Sequence, residues 1–535
     1  MNDRLGIITS GSLEKGLEVR LDGDVSVEAM AVGRYVTVMG KIKRFFGMIT
    51  DVSLGMADQQ LAISPPDISD PLIAEVLNGT GTFGVIHVAP MLVISGEDGG
   101  LTGPQPVKTV PSHYAVVNQS TQEDVETVFG TEDERRFYVG TPLDMETKIC
   151  LDLPELVKRS NGVFGKSGTG KTFLTRILLV GMLQKSAAVN LIFDMHSEYG
   201  WAGTSEARKQ VKGLKQLFPS KVAVFTLDEE TSRRRGVSTD FTVQIGYDEI
   251  EPEDISLLRQ TLNLSELAIE AVYQLRRHFG RGWLNETVNI KDEEELKNLL
   301  AQYSIHEATF QNLQRGLATI GRLPFIVPKA PENTVKRILS FLEAGKNVVL
   351  EFGRHDNLIS YILVANLLSR RIYDSYRERT EAAMAEAGTP PMPLVITIEE
   401  AHKFLNPEVA SNTIFGTIAR EMRKYNVSLL VIDQRPSAID SEVMSQMGTK
   451  LTCLLDNERD VDSVLAGVSG KSALKAVLSR LESKQQALIF GHAVPMPVVI
   501  RTRDYGSPES YREFTEGATK GKRDISGQEI EDLWA

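Results

Sequence analysis

Two stretches of this chain combine residue types and spacing that could do chemistry on a phosphorylated ligand. In the first, Gly165-Lys-Ser-Gly-Thr-Gly-Lys-Thr172, the residues Gly165, Gly170, Lys171 and Thr172 fill the pattern G-x-x-x-x-G-K-S/T, and Gly168 adds another Cβ-free position. Glycines let successive backbone N–H groups converge on one anion without Cβ atoms in the way. The run Gly165, Lys166, Ser167, Gly168, Thr169, Gly170, Lys171, Thr172 and Phe173 therefore reads as a cradle for a nucleotide polyphosphate such as ATP. Lys171 would supply a point charge to the outer phosphates, and the Thr172 hydroxyl a ligand for Mg²⁺. A purely structural glycine turn is the competing reading, and context decides between them. A short apolar strand, Gly162-Val-Phe164, enters the loop, and a helical stretch from Phe173 to Leu183 leaves it with its N-terminus toward the phosphates.

The second stretch is Pro393-Leu-Val-Ile-Thr-Ile-Glu-Glu-Ala-His402, a buried-looking strand that ends in two carboxylates. A phosphate-loop ATPase needs such acids opposite its loop threonine, one beside the metal and one to orient the attacking water. Glu399 is assigned to the metal side with Thr172, and Glu400 to the water. Adjacent residues of a strand face opposite ways, so this assignment requires the strand to end by Glu400. A surface acidic pair is the alternative. Downstream, the strand Val427 to Ile432 runs into Asp433-Gln-Arg-Pro-Ser437, where Gln434 is placed to sense a terminal phosphate. The helix Ile418 to Tyr425 sets Arg420 and Arg423 three apart on one face. Together with Arg435 they are the best candidates for arginine fingers reaching a neighbouring subunit, with ordinary ion pairing as the alternative for each.

The elements that must position these groups predict an α/β fold: a RecA-like phosphate-loop ATPase core with an inserted helical subdomain, preceded by a small β-barrel. Residues 1–140 carry short β-rich runs separated by Gly and Asp turns. An assembly or docking barrel is favoured over an oligonucleotide-binding one, because aromatics for base stacking are sparse. A helix near Pro71 to Leu77 is expected to plug one end. Residues 141–505 form the ATPase domain, in which about 201–330 is read as an insertion that interrupts the sheet, and 506–535 make a polar tail. The strand Val189 to Phe193 ends in Asp194-Met-His-Ser-Glu-Tyr199, where open α/β sheets bind ligands, so Asp194, His196 and Glu198 are site candidates unless they only cap a turn. The basic runs, with Lys209, Lys212 and Arg233 to Arg235, are solvated faces or a DNA-contacting surface.

The barrel, the glycine loop, Asp194-Met-His-Ser-Glu-Tyr199, the Glu399-Glu400 pair and Gln434-Arg-Pro-Ser437 stand in an order that resembles the HerA-type ATPases of the HerA–FtsK group. The resemblance spans nearly the whole chain. It implies a homohexameric ring that moves along double-stranded DNA, with a NurA-type nuclease or, in some relatives, an antiviral defence effector as partner. One departure is Glu399, where the family's first acid is usually Asp. Glu400-Ala-His402 also looks like the end of a DEAH box, but no second motor domain follows, so a neighbouring subunit would have to complete the site.

Composition bounds the rest. The 535 residues, 42% hydrophobic and 24% charged, are ordinary globular composition for two or three domains. Two cysteines, Cys150 and Cys453, are too few for a disulfide framework, which with the lack of a signal-peptide pattern or membrane-length apolar run points to the cytoplasm. A net charge of −12 means that DNA would be held by a confined set of Lys and Arg side chains in a pore.

Overall fold

The computed structural model describes residues 4–77, 80–96, 103–204, 210–385, 388–411, 413–421, 424–468 and 470–516. The first unit is a closed barrel. Its strands run in the order Gly16–Leu21, Arg4–Ser12, Val116–Gln119, Tyr35–Met39, Lys43–Met56 and Thr82–Gly96, and the last pairs back to the first. Alternation puts Val19, Val36, Val38, Ile86, Val88 and Val117 inside, where all are buried. The two long strands bend around this interior through bulges near Phe45, Phe46 and Ile49.

The barrel's plug is not the expected helix. Pro71–Leu77 buries none of its residues and leaves Leu72, Ile73 and Val76 exposed on the connection between the two long strands. Its apolar residues are too few and too far out on that connection to reach the barrel core. The helix that matters is Gln122–Phe129, started by a Thr121/Asp124 capping box and burying Val125, Val128 and Phe129. Phe129 lies 6.0 Å from the Tyr35 ring, and this cluster is continuous with the core of the second unit. Arg34–Asp144 and Arg480–Asp51 ion pairs, at 3.0 and 3.1 Å, also cross between the units.

The second unit is built on one sheet, twelve-stranded among the described residues. Eight parallel strands come in the order Phe241–Thr242, Val222–Thr226, Asn347–Glu351, Val189–Asp194, Leu394–Glu399, Val427–Asp433, Asn161–Phe164 and Thr449–Thr452. Four antiparallel strands extend it: Gln486–Gly491, Val498–Thr502, Arg136–Thr141 and Ile149–Asp152. The strand Arg136–Thr141 thus joins the ATPase sheet although all but its last residue precede residue 141. The run 201–330 does not simply interrupt the sheet, because Val222–Thr226 is a fully buried core strand and Phe241–Thr242 its edge neighbour. The true excursion is the helical cluster from Pro252–Leu257 to Glu307–Gly321, packed around Trp283, whose Nε1 donates to the Ile250 carbonyl at 3.0 Å. Of the tail, residues 517–535 lie outside the described residues.

Candidate active site

The phosphate-loop strand, Asn161–Phe164, lies between Val427–Asp433 and Thr449–Thr452, and Leu394–Glu399 is one strand further on. Parallel strands all deliver their carboxyl ends to the same edge, so Gly165, Glu399 and Asp433 arrive there together. Three loop glycines carry the turn, with φ of 152° at Gly165, 77° at Gly168 and 95° at Gly170. Gly165 also has no room for a side chain, since a Cβ there would lie 2.8 Å from Cys453 Cβ and from Thr169 Oγ1. Helix Lys171–Lys185 follows, and every residue from Leu174 to Leu183 is buried, which fixes its N-terminus against the sheet edge.

These elements enclose a cleft of about 230 Å³ lined by Ser167, Gly168, Gly170, Lys171, Thr172 and Phe173 on the loop side, and by Glu399, Glu400 and Gln434 opposite. The strand does end at Glu399. Glu400 takes a left-handed φ of 48°, so two consecutive acids both face the cleft. Gln434 Nε2 donates to Glu400 Oε1 at 3.3 Å. Lys171 Nζ donates to the Lys166 carbonyl at 2.8 Å, and burial lowers its pKa against the pull of nearby carboxylates including Glu400 and Glu399. Lys166 itself turns away to pair with Asp456 at 2.7 Å. Thr169 braces the loop from within by donating to the Lys166 carbonyl at 2.8 Å.

Glu399 is the most constrained acid. The Tyr361 hydroxyl donates to its carbonyl at 2.9 Å and accepts from its N–H at 3.0 Å, and the Tyr199 hydroxyl donates to Oε1 at 3.0 Å. Its Oε2 is buried without a partner. Burial, then the charges of Asp194 and Glu198, push the carboxyl up to about 8. The unpartnered Glu399 oxygen and the Thr172 hydroxyl, on residues that line one cleft, make a donor set suited to a hard divalent cation such as Mg²⁺.

The turn after Val189–Asp194 is both cap and site. The Asp194 carboxylate accepts the N–H groups of Glu198, Tyr199 and Gly200 at 2.7, 2.8 and 3.1 Å, while His196 and Glu198 line the cleft. Arg176, 3% exposed, lines the same cleft and stacks over Phe173 and Tyr505. Sequence alone did not single out Arg176, Tyr199, Tyr361 or Tyr505; a buried arginine in an otherwise apolar helix was the one available signal.

Arg435 is exposed beside Gln434, and Arg435 Nη2 donates to His402 Nε2 at 2.8 Å. That leaves the His402 Nδ1–H to donate to Asp433 Oδ2 at 2.9 Å. Burial raises the Asp433 pKa, but the His402 and Arg435 hydrogen bonds outweigh it and hold the group low. His402 therefore serves as a spacer that aims Arg435. Arg420 does not line the cleft and pairs with Glu442 at 3.5 Å. Arg423 and Lys209 lie outside the described residues. In the basic run, Arg233 pairs with Glu229 at 2.7 Å, Arg234 with Glu230, and Arg235 reaches the buried Glu351 at 3.6 Å. Lys212 Nζ sits over the Tyr511 ring.

Fold and cleft together define a phosphate-loop ATPase with a RecA-like core. Residues 137–372 match the HerA helicase central domain, and residues 5–97 match the HAS barrel domain. The DNA double-strand break repair helicase HerA of Pyrococcus furiosus is 24% identical over 449 residues, 78% of this chain and 78% of that protein. Its namesake from Sulfurisphaera tokodaii is 24% identical over 496 residues, 88% of each chain. Among solved structures, the bacterial conjugative coupling protein TrwB aligns with 73% of this chain and 94% of its own at 11% identity and a TM-score of 0.46. Over its barrel and the first part of its ATPase core the chain is thus similar to the HerA helicases.

Proposed function

We propose that this protein is an ATP-driven translocase or helicase that works on double-stranded DNA as a homohexamer, with a nuclease of the NurA type as partner in processing DNA ends. The observation that carries the hydrolytic part is the convergence of Lys171, Thr172, Glu399, Glu400 and Gln434 on one cleft. Thr172 and Glu399 are the residues to hold Mg²⁺, which when bound offsets charge on the phosphates. Lys171 binds the outer phosphates, Glu400 orients the attacking water, and Gln434, hydrogen-bonded to Glu400, reports on the terminal phosphate. The exposed Arg435, together with Arg420 and Arg423, supplies the candidates to complete a neighbour's site. The relatives named as DNA double-strand break repair helicases support DNA as the track.

A second reading is an ATPase scaffold that assembles and regulates a partner nuclease or an antiviral defence effector, with little unwinding of its own. One observation favours it. The arginines that are candidates to meet DNA phosphates, Arg233 to Arg235, are each paired with a glutamate. The test is ATP turnover with and without duplex DNA in the wild type, Lys171→Ala and Glu400→Gln. Lys171→Ala should lose nucleotide binding, whereas Glu400→Gln should bind and turn over at least 100-fold more slowly, on the order of a lost catalytic group. Wild-type turnover by Glu400→Gln would refute the role given to that acid. Turnover indifferent to DNA but dependent on a partner enzyme would decide for the scaffold.

A further inference from the structure

The Thr172 hydroxyl has a partner that the carboxylate pair does not supply. Thr172 Oγ1 donates to Glu198 Oε2 at 2.9 Å. A hydroxyl that gives its hydrogen to a carboxylate keeps its lone pairs for another partner. A carboxylate behind a metal-binding group also fixes that group's direction and raises its donor strength.

Glu198 is held for this contact from both sides of its backbone. Its N–H donates to Asp194 Oδ1 at 2.7 Å, and its carbonyl accepts from Arg176 Nε at 3.1 Å and from Arg176 Nη2. Arg176 sits one helical turn beyond Thr172, so one face of helix Lys171–Lys185 grips Glu198 by its carbonyl and its carboxylate at once. Ser197, just before it, is kept at a φ of 55°, an uncommon conformation for a side chain other than glycine, which its Asp194-capped surroundings enforce. Glu399 is engaged elsewhere: its carboxylate accepts from Tyr199 and its backbone is tied to Tyr361. Among the described residues none of its hydrogen bonds goes to Thr172. Its Oε2 has no hydrogen-bond partner, and the residue lines the same cleft.

We propose, on the reading that magnesium nucleotide binds this cleft, that Glu198 is the positioning residue of the metal site: it orients the Thr172 oxygen toward the cation, while Glu399 faces the cation from the end of the adjoining strand. The work is divided between two acids, one in the turn after Val189–Asp194 and one at the end of the neighbouring strand Leu394–Glu399.

The experiment measures binding of a fluorescent ATP analogue to the full chain with Mg²⁺ and with EDTA. Glu198→Ala should cut the enhancement of binding by Mg²⁺ tenfold or more, in the range typical of lost outer-shell partners, while binding in EDTA holds or tightens because a negative charge near the phosphates is gone. Glu198→Gln keeps the shape and an acceptor without the charge, and should show a smaller loss of the same sign. Adding Glu198→Ala to Thr172→Ala should cost no further fold-change, since the residue acts through that hydroxyl. With Mn²⁺ as the probe, the electron paramagnetic resonance signal of the nucleotide complex should change in both Glu198 variants. An unchanged metal enhancement in Glu198→Gln, or independent effects of the two alanine substitutions, would overturn the proposal. A wild type that binds no nucleotide with or without the metal would instead overturn the reading of the cleft.

Discussion

Glu351 offers a direct test of how burial governs the ionisation of this sheet edge. It ends the strand Asn347–Glu351 directly beside Asp194, is 1% exposed, and keeps Oε1 without a hydrogen-bond partner. Burial, then the neighbouring Asp194 carboxylate, push its pKa from 4.5 up to about 7, with Arg235 at 3.6 Å pulling the other way. An unfolded chain releases this proton near 4.5, whereas the folded protein keeps it to about 7. The stabilising contribution of the neutral carboxyl is thus complete at low pH and is lost as pH rises through that interval. At about 1.4 kcal/mol per pH unit, the interval corresponds to roughly 3 kcal/mol as an upper value. Glu351→Gln keeps the shape and abolishes the charge. Thermal unfolding of the two proteins should coincide near pH 4.5 and diverge above it, the variant unfolding about 3 °C higher by pH 8. The difference between the two curves isolates Glu351 from Glu399, whose shift has the same sign and persists in both proteins. Parallel curves across the whole range would refute the idea that burial, rather than the Arg235 pair, sets the ionisation of Glu351.

Gly165→Ala should lose nucleotide binding and lower the unfolding temperature, because its Cβ would collide with Cys453 and Thr169 at a φ of 152°; an equilibrium titration and a melting curve decide it. Mixing Arg435→Ala subunits with Lys171→Ala subunits should restore turnover at mixed interfaces if Arg435 serves a neighbour, and no recovery at any ratio counts against that role. Charge reversal at Arg233 and Arg234, leaving Arg235 to hold Glu351, should flatten the dependence of log affinity for duplex DNA on log salt by roughly 0.9 per lost phosphate contact if these arginines line the track. An unchanged slope moves the DNA path elsewhere.

What the sequence made legible was whatever is contiguous. The glycine loop and the two acids at the end of Leu394–Glu399 are local patterns whose chemistry dictates their spacing, and parallel strands then bring them to one edge without further instruction. Val222–Thr226 was missed for the opposite reason: four apolar residues and a threonine between basic and helical stretches have no period of their own, and only the neighbouring Asn347–Glu351 makes them a core strand. The helix at Pro71–Leu77 misled because an apolar stripe reports an amphipathic segment, not which surface it meets. The supports of the site are the least legible part. Tyr199 and Tyr361 both hold Glu399 from distant points in the chain, and Arg176 acts through a backbone carbonyl, so no spacing rule links any of them to the acid they serve. The chemistry of this site is therefore encoded in short motifs, while its geometry is encoded in long-range hydrogen bonds to tyrosine, arginine and histidine. A substitution at Tyr361 would leave every motif intact and still misdirect Glu399.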